Sequence, residues 1–408
     1  MPNSKQALVV YNPTARSQNS DQSWITRLVS ELSHQDNYVV TLYPTTPMTT
    51  IDDIVALLKP ELALVVAAGG DGTIRSVLAA LAKCKSDIPA ALMPLGTGNV
   101  LARNLGIVDE KFFADPLAHA FDPIATGVPV RIDMGLMNGE YFAGMAGAGP
   151  LSDAFMVPER DAKTTFKNLA YAKAMIETMA MRPVIFKITV AGRTFKVRAS
   201  GVFVANVEDL GLGKPCELTT LTDGFLNLHV LDPRNFSDYV AVGFRFAAGH
   251  VAGKAPHYVL KVREALIEVI PRKGLRSQFQ SIANKIMMFL QGKPSRTARS
   301  QHIAAMIDGE EAGTTPMKIS VVPHAVTVLV PAERIAELNK QTEDNEDTSP
   351  KPKQSQSQSQ NQNGANKPEQ TAAAKAKAMM DSDREPTYAP GEVTAFITLA
   401  SEATEPNP

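Results

Sequence analysis

The residues Gly69-Gly70-Asp71-Gly72-Thr73 set one carboxylate and one hydroxyl among glycines, directly after the apolar run Val65-Val66-Ala67-Ala68. A glycine turn between a strand and a helix exposes backbone N–H groups at the positive end of the helix, which makes a seat for phosphate. The glycines supply positive φ and close approach. Asp71 in such a turn has two uses: a ligand for a nucleotide-bound Mg2+, or a hydrogen-bond acceptor that shapes the turn. One unit later Pro94-Leu95-Gly96-Thr97-Gly98-Asn99 repeats the pattern, with Thr97 and Asn99 offering side-chain hydrogen bonds. Taken alone, that second turn is equally a plain connection with Asn99 as a helix N-cap. Two further polar turns are Thr222-Asp223-Gly224 and Asp308-Gly309-Glu310-Glu311, each readable as a simple turn at the end of a strand.

These residues need elements that bring them together. The apolar runs 7–11, 62–68 and 88–93 read as strands, and 74–82 and 100–105 as helices. Strand one runs into Asn12-Pro13, strand two into the first glycine turn, strand three into the second. Consecutive strand–turn–helix units place their turns at one edge of a parallel sheet, where open α/β domains bind ligands. Residues 5 to about 126 therefore form a doubly wound α/β domain. From Val130 the pattern becomes β-rich, with strands expected at 141–146, 184–190, 194–205, 225–231, 265–270, 303–307 and 317–322. This gives a second, sandwich-like domain over 127–312, interrupted by helices near 159–182 and 236–252. The segment 313–332 is expected to pack back on the first domain.

The Asn12-Pro13 turn, Gly69-Gly70-Asp71-Gly72-Thr73, Pro94-Leu95-Gly96-Thr97-Gly98-Asn99 with Ala102-Arg103, Thr222-Asp223-Gly224-Phe225-Leu226 and Ile307-Asp308-Gly309-Glu310 occur in that order. Together they resemble the diacylglycerol kinase catalytic domain family, which includes bacterial soluble lipid kinases and sphingosine kinases, over roughly residues 5 to 331. The resemblance implies an ATP-dependent lipid kinase acting on a hydroxyl of a membrane lipid such as diacylglycerol. It implies that Asn12, Gly69, Gly70, Asp71, Gly72, Thr73, Thr97 and Asn99 bind ATP, that Asp71 organises Mg2+, and that Glu310 is the general base. It also implies a Mg2+ ion on Asp223. A neighbourhood of like charge from Asp308 and Glu311 is expected to tune Glu310. The chain departs from the family at Ala15-Arg16, Arg75-Ser76, Val100 and Asn227, which leaves fewer carboxylates for metal ions. Two alternatives stay open: NAD kinase, which shares the Gly-Gly-Asp-Gly-Thr turn, and a nucleotide- or lipid-binding member without turnover.

Composition narrows the class. The chain has 408 residues with 44% hydrophobic, enough for a sizeable core, and a net charge of −1, which gives no overall pull toward nucleic acid. Its two cysteines, Cys84 and Cys216, form no disulfide framework and suit a reducing compartment. No run of about 18 apolar residues occurs, and the expected location is cytoplasmic. One local attraction stands out at 272–300. Arg272, Lys273, Arg276, Lys285, Lys293, Arg296 and Arg299 lie in a stretch without acidic residues, and Leu275, Phe279, Ile282, Ile286 and Leu290 recur at helical spacing. Such a helix suits an anionic membrane surface, here the inner face, and equally an ordinary core-packing helix. Residues 338–390, rich in Gln, Ser and Lys, lack the apolar residues to fold alone and read as a disordered tail.

Overall fold

The computed structural model describes residues 5–15, 23–34, 38–108, 120–152, 183–207, 221–233, 235, 237–238, 257–270 and 302–335. The helix expected at 159–182, nearly all of that at 236–252, the basic stretch 272–300, Cys216 and the tail from 338 lie outside these residues.

The first part runs β1 (Lys5–Tyr11), α1 (Ser23–His34), β2 (Tyr38–Pro44), α2 (Ile51–Val55), β3 (Leu62–Gly69), α3 (Asp71–Lys83), β4 (Ala90–Pro94), α4 (Val100–Asn104) and α5 (Asp122–Thr126). Strands β1 to β4 pair in parallel in the order β2-β1-β3-β4. Parallel strands are covered on both faces, which is why Leu64 to Gly69 are buried without alternation. Helix α3 covers one face with Ile74, Val77, Leu78 and Leu81, the spacing of one helical stripe.

The second part begins with β5 (Val128–Met137), β6 (Glu140–Phe142), β7 (Met145–Ala148), β8 (Val184–Val190), β9 (Arg193–Ala199) and β10 (Gly201–Ala205). It continues with β11 (Leu226–Leu231), β12 (His257–Val262), β13 (Glu264–Val269), β14 (Ala304–Ile307), β15 (Glu310–Thr314) and β16 (Met317–Val330). Strand β16 is the seam of the molecule. Val328 pairs in parallel with Ala90 of β4, while residues 317–320 pair antiparallel with β13, so the parallel sheet continues as β4-β16-β13-β8-β9. Strand β5 pairs along both halves of β16, with a register shift between Val322 and Val326. A second, antiparallel sheet has the order β12-β11-β10-β7-β14-β15. Phe186, Ile188, Ile267 and Ile319 from the first sheet meet Val202, Val204, Leu228 and Val230 from the second as a sandwich core. The fold is thus α/β with a parallel-sheet amino-terminal part and a β-rich antiparallel part.

Two strands expected to be continuous are broken. The run 194–205 divides at Ser200, whose N–H donates to Leu231 and whose carbonyl accepts from Leu151, so that β9 joins the first sheet and β10 the second. The run 141–146 divides at Ala143-Gly144, for a reason that lies in the candidate site.

Gly135 of β5 lies opposite Phe142 of β6, and a Cβ on Gly135 would stand 1.9 Å from Phe142 Cζ, so the buried ring lies over the glycine. Gly135→Ala is expected to displace that ring and lower the unfolding free energy by about 1–3 kcal/mol in urea denaturation. An unchanged midpoint would show that the ring does not need the glycine.

Candidate active site

The two glycine turns interlock. Gly70 follows β3 and caps α3 with extended backbone, φ −80° and ψ −177°, and has no side chain to shield the first amides of the helix. A Cβ on Gly96 would stand 2.6 Å from the Gly70 Cα, and one on Gly69 would stand 2.5 Å from Thr73 Oγ1. Close approach, not positive φ, is therefore what these positions require: the glycines with left-handed φ lie elsewhere. Thr73 folds its side chain back toward Gly69, while Thr97 lies exposed at the tip of the second turn.

Asp71 acts as a shaper of the site. Its Oδ1 accepts the Val100 N–H at 2.7 Å, so the first residue of α3 holds the amino end of α4. Asn99 stands at the N-cap of α4 in the left-handed region, φ 48°, and makes no side-chain cap bond. Its Nδ2 donates to the Gly96 carbonyl at 2.8 Å, and its buried Oδ1 has no hydrogen-bond partner among the described residues. Asn12 follows β1 and stays beside β3, its N–H donating to the Ala68 carbonyl at 2.9 Å. Its Oδ1 accepts from the Thr14 N–H and hydroxyl at 3.0 and 2.8 Å, a local turn at the same sheet edge as Gly69.

The β14–β15 hairpin of the second sheet reaches this edge. Asp308 and Gly309 form its turn with φ 48° and 85°. Glu310 follows, its Oε1 3.1 Å from where a Cβ on Gly72 would stand, and its Oε2 accepting from Arg75 Nη2 at 2.5 Å. Glu310 is exposed and the Arg75 side chain largely covered. Asp308 points the other way. Its enclosed carboxyl accepts the N–H groups of Ala143, Gly144 and Met145 at 3.0, 2.8 and 2.8 Å, and its own N–H donates to the Met145 carbonyl. Burial raises the Asp308 pKa, against the downward pull of the Ala143 amide, Arg75 and the other two amides. Capture of these amides is what interrupts the strand expected over 141–146. The expected like-charge setting of Glu310 is also corrected: Asp308 turns to backbone amides, and a cation stands beside Glu310.

Asp223 lies apart from this cluster. Its Oδ1 accepts from the Phe225 N–H at 2.9 Å and its Oδ2 pairs with Lys261 Nζ at 3.0 Å, so an ammonium holds the carboxylate. The neighbouring buried carboxylate is Asp133, which sequence reading passed over. It accepts from the Gly224 and His324 N–H groups, each at 2.7 Å, and so ties the entry of β11 to the irregular point of β16. Burial raises its pKa most, the charge of Asp223 adds to this, and the two amides and His324 oppose. Its only sequence signal is a carboxylate inside the apolar frame Ile132-Asp133-Met134. Asn206 links the two regions, donating to the carbonyls of Asp133 and Ala143 at 2.9 and 3.1 Å. No group of three or more His, Cys, Asp or Glu placed to hold a metal occurs among the described residues.

The unshielded start of α3, the Asp71 carboxylate in its first turn and the Glu310 carboxylate delivered from the second sheet meet at one edge of the parallel sheet. Residues 6–137 match the diacylglycerol kinase catalytic domain. The chain is 30% identical over 245 residues to a diacylglycerol kinase of Bacillus subtilis (strain 168), covering 58% of this chain and 77% of that protein. It is 26% identical over 242 residues to a diacylglycerol kinase of Staphylococcus aureus (strain MRSA252), covering 57% of this chain and 73% of that one. In fold it is similar to a crystal structure of a diacylglycerol kinase from Bacillus anthracis (strain Sterne), with TM-score 0.57 and 18% identity over 81% of this chain and 98% of that one. The chain belongs to the diacylglycerol kinase family.

Removing the Asp308 carboxylate leaves three enclosed amides without their acceptor. Asp308→Ala is expected to lower the unfolding free energy by about 3 kcal/mol or more, read by urea denaturation. A loss below about 0.5 kcal/mol would show that water replaces the carboxylate at those amides.

Proposed function

We propose that the chain is an ATP-dependent lipid kinase that phosphorylates a hydroxyl of a membrane lipid such as diacylglycerol. The observation that carries this reading is the placement of the Glu310 carboxylate beside Gly72, at the uncapped amino end of α3. General-base work needs a carboxylate next to the place where the phosphoryl group is held, and phosphate binds at such helix ends. The names of the relatives support the reaction class.

The residues present fit a nucleotide. The α3 amides at Asp71, Gly72 and Thr73 offer donors to phosphate, and the unpartnered Asn99 Oδ1 offers an acceptor to a hydroxyl or amine. Asn12 and Thr97 border the same sheet edge. Bound Mg2+ supplies positive charge to the phosphates, and such an ion is typically held through one or two carboxylates plus the phosphates themselves, the part given to Asp71. A resident ion on Asp223 would compete with Lys261 for the carboxylate. Glu310 takes the proton of the acceptor hydroxyl while the glycine turns keep the donor in line with it. The α/β part, 1–126, serves the nucleotide and the β-rich part, 127–312, the lipid. No helix among the described residues is long and apolar enough to cross a membrane. The basic stretch 272–300 is the proposed element for meeting the lipid at an anionic surface.

The Arg75–Glu310 ion pair favours a second reading, a binding protein without turnover, because it engages the base. One experiment separates the two. The purified full chain is incubated with Mg2+, γ-labelled ATP and diacylglycerol in mixed micelles, with NAD as a parallel acceptor. Labelled phosphatidic acid is the expected product. Asp71→Ala should abolish labelling while leaving the fold intact, and Glu310→Gln should lower kcat by about two to four powers of ten. Labelling that survives Glu310→Gln would remove the base role, and ATP binding without labelling of either acceptor would establish the second reading.

A further inference from the structure

Arg75 lies in the second turn of α3, and its position there gives it more than a packing role. It lies three residues after Gly72, on the same side of the helix, and helical side chains lean toward the amino end. Its guanidinium therefore reaches back to the glycine turn. The contacts of Glu310 mark the same place: one oxygen lies against Gly72 and the other on Arg75 Nη2. A carboxylate thus fills the space between the two anion-attracting features of the site, the helix end and the guanidinium.

The two partners are unequally placed. The Arg75 side chain is 18% exposed and that of Glu310 61%. A largely covered guanidinium needs an anion, and its planar fork of donors matches a phosphoryl group at least as well as a carboxylate. The exposed carboxylate loses little on leaving, since ion pairs open to water contribute little to stability. Asp308, whose carboxyl feels the Arg75 charge, remains bound to the amides of 143–145, so the hairpin keeps its place while the Glu310 side chain lets go.

We infer that Arg75 binds the γ-phosphoryl group of ATP, and that the Glu310 carboxylate occupies Arg75 only until the nucleotide arrives. This inference rests on the kinase reading. The exchange explains how a base held in an ion pair becomes available: the phosphoryl oxygens take over the guanidinium, and Glu310 turns to the acceptor hydroxyl. In the transfer the hydroxyl proton goes to Glu310, the acceptor oxygen forms its bond to phosphorus, and the bond between phosphorus and the β–γ bridging oxygen breaks, its electron pair leaving with ADP. Arg75 meets the charge on the group in transit, the part an arginine supplied in cis plays in other phosphoryl transfers. Donor binding and base release are then one event, which keeps Glu310 engaged when no donor is present.

The test is equilibrium binding of Mg-ATP and of Mg-ADP to the full chain by titration calorimetry, for the wild type, Arg75→Ala, Arg75→Lys and Glu310→Gln. Arg75→Ala should weaken ATP by about ten- to a hundredfold and ADP by less than about twofold, with Arg75→Lys between it and the wild type. Glu310→Gln should bind ATP several-fold more tightly and ADP unchanged, because the competing anion is gone. Equal weakening of ATP and ADP in Arg75→Ala would overturn the inference, as would unchanged ATP affinity in Glu310→Gln. The two variants report independently, so a fold defect in one leaves the other decisive. Wild-type protein that binds neither nucleotide would end the kinase reading together with this one. Wild-type protein that labels diacylglycerol while the variants fail these expectations would end this one alone.

Discussion

A carboxyl group taken out of water is costly unless its oxygens meet donors. Asp308 meets three in a row, the amides of Ala143, Gly144 and Met145. Those amides are available because the chain leaves its ladder with β5 after Phe142 and enters the second sheet only at Met145, and Asn206 fastens the freed loop from the other side through the Ala143 carbonyl. The turn residue of one hairpin is thereby locked to the loop just before β7, at Ala143, 165 positions earlier. Glu310, two residues on, inherits a fixed position from this lock. A side chain exposed to solvent would otherwise have little to hold it near the glycine turn.

The sheet architecture does the remaining positioning. Strand β16 pairs with β4 at one end and with β13 at the other, so the parallel half that carries the glycine turns and the antiparallel half that backs the second sheet share one continuous hydrogen-bonded frame. The bend that lets β16 serve both is the irregularity between Val322 and Val326, held by Asp133 through the His324 amide. The site forms where the carboxyl ends of the parallel strands face the β14–β15 turn. Local close packing, Gly96 against Gly70 and Glu310 against Gly72, then decides which residues touch.

Much of this was legible in the sequence because the signals are local. Apolar runs that end in glycine mark β3 and β4, and their succession places both turns at one edge. The Asp-Gly pair marks the hairpin. What was not legible depends on partners far away in the chain. Nothing within 141–146 announces that a carboxylate at 308 will take its amides, and nothing near Arg75 announces an ion pair across 235 positions. The break at Ser200 is invisible because the residues on both sides suit a strand equally, and only the choice of sheet differs. The glycine turns show the limit of residue-type reasoning. Glycine was expected for its positive φ as well as for its small size, and only the second applies at Gly69 and Gly96.

The central claim is that the hairpin of the second sheet and the glycine turns of the first form one nucleotide-responsive site. Amide hydrogen exchange on the full chain, followed by mass spectrometry with and without saturating Mg-ATP, tests it most directly. If the two halves form one site, exchange should slow in peptides covering 69–76 and 95–100 and change in those covering 306–312 over the same nucleotide concentrations. Protection confined to the glycine turns, with the hairpin unchanged at every concentration, would contradict it.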